Sequence, residues 1–430
     1  MYQNIFTTWT KKGPVVHIWD DERGYIVLKH NRYAYMKSPS GKHVSIFGDR
    51  LKRITKWDEE EQDELFEADI HPEMRTLIDL YVDSDEPSQG HRVVFFDIEV
   101  EMKGGFPNKD NPIQAITSIS LYDKTTDQMY ALVWDAEERF TKLEDKKVEV
   151  QCFETEYELI QGFLMLMQSL NPTILSGWNT DLFDIPYLFN RMCVVVGEDL
   201  AKSMSPINQV MYREAQGIYK IAGVSSLDYL KLYRKFSMGD RPSYALDAIG
   251  ELEVGMKKIK YEGTLQDLYE SDLTKYVEYN IRDVELLKQL DQKLGYIETA
   301  RALCHKGHIP YENIYTQSQI LDGAMLTYLK RRNIVAPSKK IGNSGNYSGE
   351  GRQHISGAFV KEPQSGLHEW VFDIDATSMY PSIIMSLNIS PETKRGKVVD
   401  WNADERFRNP EKKILSEPPI LRKMDARLQF

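Results

Sequence analysis

Long apolar runs are missing from this chain of 430 residues. No stretch approaches the ~20 consecutive apolar residues of a membrane-spanning helix. The opening Met1-Tyr2-Gln3-Asn4 lacks the basic and apolar pattern of a secretory signal, so the expected location is the cytoplasm. Cysteine is scarce. Cys152, Cys193 and Cys304 lie far apart with no CxxC pair, which excludes a disulfide framework and a cysteine zinc site. Internal repeats and low-complexity tracts are absent as well. Positive charge is not in excess, because 54 Lys and Arg face 65 Asp and Glu for a net charge of −11, which argues against a protein that simply coats nucleic acid. Local cations remain for backbone contact: Lys52, Arg53 and Lys56, Lys257, Lys258 and Lys260, Lys330, Arg331 and Arg332, Lys339 and Lys340. A hydrophobic content of 41% is enough for several cores, and the length suggests about three domains at roughly 150 residues each.

Against this background, Val93-Val94-Phe95-Phe96 runs into Asp97-Ile98-Glu99. Side chains at i and i+2 leave a strand on the same face, so Asp97 and Glu99 point together. Two carboxylates aimed at one spot repel unless a divalent cation holds them, and two-metal phosphodiester chemistry needs such a pair. A strand end turning into solvent would read the same way, so the pair needs company. Further on, Thr173-Ile174-Leu175-Ser176 reads as a strand, the stretch from Gly177 as a loop, and Tyr187 to Met192 as a helix, with Asp184 at or near the helix start. A lone Asp there would cap the first turn. From Lys275 to Leu294 the apolar residues Val277, Ile281, Val284, Leu287 and Leu290 keep helical spacing. Tyr279 and Asp283 are i, i+4 neighbours on that helix, where a phenol can position a water beside a metal-bound carboxylate.

In the order DxE, Asn-x4-Asp and YxxxD, these signals match the DEDD pattern of 3′→5′ exonucleases in its Tyr version. The chain resembles the family B DNA polymerases, in particular the replicative enzymes of large tailed bacteriophages. Phe96 to Val100, Gly177 to Tyr187 and Tyr279 to Asp283 look like the three exonuclease motifs. Ser226-Leu227-Asp228-Tyr229-Leu230 and Pro242-Ser243-Tyr244-Ala245-Leu246 look like the strand and helix before the third. Gly357-Ala358-Phe359-Val360 is similar to the segment linking exonuclease and polymerase parts, and Asp375-Ala376-Thr377-Ser378-Met379-Tyr380-Pro381-Ser382 looks like polymerase motif A.

The resemblance implies that Asp97, Glu99, Asp184 and Asp283 hold two Mg²⁺ or Mn²⁺ ions and that Tyr279 orients the attacking water. It assigns Asp375 to a polymerase metal and Ser378, Met379 and Tyr380 to the nucleotide, with Tyr380 excluding a ribose 2′-OH. It also makes Phe106, Asn179, Gly357 and Ala358 DNA contacts. Phe106 matches an aromatic wedge against the unpaired 3′ terminus, a buried turn Phe being the other reading. From the residues themselves, Trp370 to Asp375 reads as a strand whose last Asp can ligate a cation ahead of a polar turn.

The expected fold is a multidomain mixture of α/β and α+β: an N-terminal domain over 1–91, mixed and β-rich, a ribonuclease-H-like DEDDy exonuclease domain over 92–303, a return segment of the N-terminal domain over 304–346, and an incomplete palm over 347–430. Within it the residue patterns predict strands at Val15 to Trp19, Tyr25 to Leu28 and around Val44, a helix from Pro72 to Leu80, strands near 93–100, 115–122 and 129–134, and a helix opened by a Thr155–Glu158 capping box. Two departures from the family stand out: Ile355 replaces an aromatic residue of the linker, and 205–223 is short for the phage strand-separating hairpin. Neither the second catalytic Asp, in an Asp-Thr-Asp hairpin, nor the fingers helix occurs in these residues. The resemblance therefore implies DNA as partner, with primer-templates and single-stranded 3′ ends as substrate, a C-terminal polymerase fragment needed for synthesis, and a replisome sliding clamp as a further possible partner. A stand-alone exonuclease and a non-catalytic assembly subunit are the alternatives. Val371, Ile383 and Ile384 should be exposed apolar surface for the missing half to cover.

Overall fold

A computed structural model describes residues 1–57, 64–143, 147–214, 216–339, 362–390 and 393. Two compact units form, one from Met1–Tyr33 with Asp69–Asn333 and the other from Ala34–Ala68 with residues from Ile334 onward.

The chain opens with β1 (Tyr2–Thr10), β2 (Gly13–Asp20) and β3 (Gly24–Lys29), an antiparallel sheet of the first unit. Strands β4 (Ala34–Lys37), β5 (His43–Ser45) and β6 (Arg50–Ile54) belong to the second unit. The first unit resumes with α1 (Pro72–Tyr81), β7 (Val93–Val100), β8 (Ile116–Asp123), β9 (Gln128–Trp134) and β10 (Val148–Phe153). Then come α2 (Glu156–Leu170), β11 (Ile174–Ser176), α3 (Asp184–Val195), α4 (Glu198–Ala201), the hairpin β12 (Val210–Arg213) and β13 (Ile218–Ile221), and β14 (Ser225–Ser226). Helices α5 (Tyr229–Phe236), α6 (Leu246–Val254), α7 (Leu265–Ser271), α8 (Leu273–Leu294), α9 (Tyr296–Gly307) and α10 (Gln317–Arg331) complete it.

The central sheet runs β10-β9-β8-β7-β11-β14. Strands β7, β8 and β9 pair antiparallel, while β10 joins β9, β11 joins β7 and β14 joins β11 in parallel. Strand β7 is therefore internal, and its period of two feeds two cores. Val94, Phe96, Ile98 and Val100 pack with Leu159 and Phe163 of α2 and Tyr187 and Leu188 of α3. Val93 and Phe95 pack on the other side with Val284, Leu287 and Leu290 of α8. Asp97 and Glu99 continue this second face, so the alternation that buries the strand also turns both carboxylates toward α8.

The helices start where the side chains dictate. Thr155 Oγ1 accepts the Glu158 N–H and the Glu158 carboxylate accepts the Thr155 N–H, both at 3.2 Å, a complete capping box for α2. Asp272 accepts the Lys275 N–H at 3.0 Å to open α8, and Gly295 closes it at φ 62°, where a side chain would be strained.

In the second unit, β15 (Ile334–Val335) completes a sheet in the order β15-β5-β6-β4, and α11 (Met379–Ser386) follows the Asp375 to Ser378 segment. The strand expected from Trp370 to Asp375 does not form. Trp370 sits at φ 59°, which breaks the extended chain, and among the described residues no ladder takes up the N–H and C=O groups of 371–376. Val371, Ile383 and Ile384 are exposed. Among the described residues no helix is long and apolar enough to cross a membrane.

Candidate active site

Asp97 and Glu99 from β7 and Asp283 from α8 each offer an oxygen, and these oxygens all lie within 4.8 Å of one another. A bulge in the β7–β8 pairing between Glu99 and Val100 adjoins them, a common device for re-aiming side chains at a site. Asp97 is half-buried and Glu99 and Asp283 are buried. Asp184, the first residue of α3, is also buried and repels Asp97 and Glu99, but it stands outside the group of three.

Neighbouring side chains fix the acids. Asn280, fully buried one turn before Asp283, donates from Nδ2 to Asp97 Oδ2 at 2.8 Å. Its Oδ1 accepts from Ser118 Oγ at 2.9 Å and Ser120 Oγ at 2.6 Å on β8. Two hydroxyl donors hold the amide's oxygen end, so the N–H end must face Asp97. Lys258 Nζ lies 2.5 Å from Asp283 Oδ2 and donates to the Tyr279 hydroxyl at 3.2 Å, with its charge 5.1 Å from the Tyr279 ring centre. Tyr261 packs edge-on against Tyr279 at 5.3 Å. Asp283 Oδ1 is buried with no hydrogen-bond partner.

Burial, then repulsion from Asp283, Asp184 and Glu99, drives the Asp97 carboxyl well above the usual range. Burial and Asp283 push Glu99 up to about 8. Burial pushes Asp184 up to about 7, against the pull of the N–H groups of Ile98 and of its own backbone. Burial also raises Asp283, and Lys258 opposes it. Four acids that resist ionising together are what a cation would relieve.

The loop before Asp184 is built tightly. A Cβ on Gly177 would meet the Phe96 carbonyl oxygen at 2.5 Å, so only glycine lets β11 leave β7 here. Asn179 takes the left-handed conformation at φ 66°. The Asp228 carboxylate accepts the Asn179 and Asp181 N–H groups, each at 3.2 Å, and caps α5 through Leu230 N–H at 2.9 Å. Burial and Asp181 hold Asp228 up at about 6. Asp181 itself is held by Ser226 Oγ at 2.5 Å and Lys231 Nζ at 2.8 Å.

The structure thus brings together Asp97, Glu99, Asp283 and Tyr279, with Asp184 close by. Phe106 is 78% exposed with its ring 6.0 Å from that of Phe183, which rules out the buried-turn reading. Asp375, Ser378, Met379 and Tyr380 are exposed in the second unit. Gly357, Ala358 and Ile355 lie outside the described residues. Two residues at the site carried no role in the sequence reading. Asn280 had a signal, since it shares a helix face with Asp283 three residues on. Lys258 had none beyond its place in a basic cluster, because a segment without regular structure brings it to Asp283.

Acids from a strand, a helix start and a second helix gather around one mixed sheet, and comparison with known proteins places the chain. Residues 53–249 match "DNA polymerase family B, exonuclease domain", and residues 311–419 match "DNA polymerase family B". The chain belongs to the family B DNA polymerases. It is 34% identical over 337 residues to the DNA-directed DNA polymerase of Escherichia phage RB69, covering 71% of this chain and 36% of that protein. To the DNA-directed DNA polymerase of Enterobacteria phage T4 it is 31% identical over 334 residues, again 71% of this chain and 36% of the relative. A DNA polymerase of Pyrococcus glycovorans is 26% identical over 337 residues, 77% of this chain and 41% of its own length. The chain spans about a third of the length of the two phage relatives.

Proposed function

We propose that this chain is a 3′→5′ proofreading exonuclease, hydrolysing the 3′-terminal phosphodiester of DNA. The carrying observation is the convergence of Asp97, Glu99 and Asp283 within 4.8 Å, with Asp283 Oδ1 unpartnered. All-carboxylate oxygen donors suit a hard divalent cation, and Mg²⁺ or Mn²⁺ fits this set. Asp97, Glu99, Asp184 and Asp283 would hold two such ions, which when bound supply an activated water and stabilise the leaving 3′ oxygen.

The chain's own groups do the rest. Asn280 keeps the Asp97 carboxylate turned toward its partners. Tyr279, its hydroxyl fixed by Lys258, holds the attacking water beside Asp283. Lys258 places a permanent positive charge where negative charge develops on the phosphate. Phe106 and Asn179 contact the strand, and bases stacking on aromatic rings suit an enzyme that accepts any sequence.

The sheet order β10-β9-β8-β7-β11-β14, with helices on both faces, supports reading 92–303 as a ribonuclease-H-like domain. We extend the reading to an N-terminal domain over 1–91 with its return over 304–346, and to a palm from 347. There Asp375 would bind a polymerase metal and Ser378, Met379, Tyr380, Gly357 and Ala358 would contact nucleotide or DNA. Synthesis would then need a second palm carboxylate from a further segment. The setting would be a replisome in the cytoplasm.

The test is digestion of a 5′-labelled single strand by the chain with Mg²⁺. A ladder shortening from the 3′ end, stopped by chelator and absent from an Asp97→Ala/Glu99→Ala double variant, is expected. Equal digestion by the double variant would reject the metal assignment.

A further inference from the structure

A loop and a hairpin share one anchor on α3, the helix that begins at Asp184. The loop leaving β7 carries the exposed Phe106, and its ring rests on Phe183, the residue before Asp184. Helix α3 grips this loop by its carbonyls: Tyr187 OH donates to Gln114 O at 2.7 Å, Arg191 Nη1 to Pro112 O at 3.0 Å and Ile113 O at 2.8 Å, and Asn190 Nδ2 to Lys109 O at 2.8 Å. The other end of the Asn190 amide faces the β12–β13 hairpin, where Oδ1 accepts from Tyr219 OH at 2.5 Å. Asn190 stands about 9 Å along the axis from Asp184, at 1.5 Å per residue. One side chain therefore ties loop, hairpin and site helix.

We propose that Asn190 is a positioning residue for a DNA 3′ end: its amide sets the Phe106 loop and the β12–β13 hairpin in one fixed relation to Asp184. This rests on the exonuclease reading above. The acids are deep, with Glu99 9%, Asp184 4% and Asp283 2% exposed. A paired terminus must part from its complement to reach them, and the parted bases lose their stacking. Phe106 on the loop and Tyr212 on the hairpin are exposed rings that can replace it, at ~1–3 kcal/mol per base. That stacking helps only while both rings keep their distance from Asp184, since a misplacement of ~1 Å can cost up to ~10²-fold in rate. A single strand has no complement to leave and depends on this geometry less.

The two bonds can be cut separately. Tyr219→Phe removes the hairpin's bond and keeps the ring on Phe189, 4.8 Å away. Asn190→Asp keeps the acceptor for Tyr219 but loses the donor to Lys109. Asn190→Ala loses both. The experiment compares digestion of a primer–template with a mismatched 3′ end and of a single-stranded oligonucleotide, alongside amide hydrogen exchange of the chain. In Asn190→Ala the mismatched-to-single-stranded rate ratio should fall about tenfold, and exchange should quicken in both the 101–115 loop and the hairpin. Tyr219→Phe should loosen the hairpin alone and Asn190→Asp the loop alone, each with a smaller fall in the ratio. These two milder variants carry the test if Asn190→Ala does not fold. An unchanged ratio with both elements loosened, equal losses on both substrates, or loosening of only one element in Asn190→Ala would overturn the proposal. If the parent digests neither substrate, the exonuclease reading falls and takes this one with it.

Discussion

Two buried polar clusters in the first unit solve the same problem in opposite ways. In the first, Ser88 Oγ, His91 Nε2, His305 Nε2 and Tyr311 OH meet at 2.8 to 3.2 Å. Burial, reinforced by Arg301, holds His91 down at about 2 and His305 at about 3, so both rings are neutral and their Nε2 atoms are bonded. In the second, around Asp97, Glu99, Asp184 and Asp283, burial pushes carboxyls up instead, and one Asp283 oxygen has no partner. The histidine cluster is uncharged and tied by hydrogen bonds among its own members, with His305 Nδ1 left buried without a partner. The acid cluster is closed only if something charged arrives. Buried polar groups that satisfy one another hold a fold together, whereas groups arranged to repel mark a place kept for a ligand.

The sharpest break of this contrast is chemical. Replacing Asp97 and Glu99 by Ala should abolish exonuclease activity while the melting temperature without metal holds or rises, because the variant relieves repulsion. A large loss of stability without metal would make the acids structural and erase the distinction. Next in size, Tyr279→Phe should lower the rate ~10²-fold with DNA binding retained, if the hydroxyl assists proton transfer. Weakened binding at an unchanged rate would make Tyr279 a stacking residue.

Smaller effects concern stability. Asn280→Ala strands the Ser118 and Ser120 hydroxyls and frees Asp97, costing ~1–3 kcal/mol in chemical denaturation, with a loss of activity at Mg²⁺ concentrations that saturate the parent. Finally, pH should move the clusters in opposite directions. Glu99 and Asp184 have folded values of about 8 and 7 against ordinary values of 4.5 and 3.8. Their favourable contribution is complete below about pH 4 and is lost as pH rises through 7 to 8, and Mg²⁺ should restore it. His91 and His305 lie below their ordinary 6.5, so theirs is complete above that pH and lost as pH falls toward 3 and 2. Imidazole nitrogen shifts that stay neutral down to pH 4 would support this, and a ring titrating near 6.5 would refute it.

The acid cluster was far more legible in the sequence than the histidine one. Period-two alternation in Val93 to Val100 and 3.6-residue spacing in α8 were strong enough to place Asp97, Glu99, Tyr279 and Asp283 on facing sides. The strands around 93–100, 115–122 and 129–134 and the capping box of α2 formed as expected for the same reason: local pattern and burial agree. Strand β1 and strand β10 were not read. Polar Asn4, Thr7 and Thr8 interrupt the alternation in one, and the other is an edge strand only partly buried. Lys258 and the Ser88–His91–His305–Tyr311 contacts join residues remote in sequence, for which no spacing rule exists. Trp370 to Asp375 erred the other way, because apolar residues propose a strand but only a neighbour's hydrogen bonds make one.

Asn280 also sets how such a molecule ages. Asparagine amides hydrolyse with time and heat, and here the product would be an Asp directed at Asp97. The donor would become a fifth acid in the cluster, so one slow chemical event, with no change in the gene, would silence the site while leaving the helix intact. Full burial inside α8, with both ends of the amide bonded, shields it from water. The packing that aims Asp97 therefore also protects the amide that does the aiming.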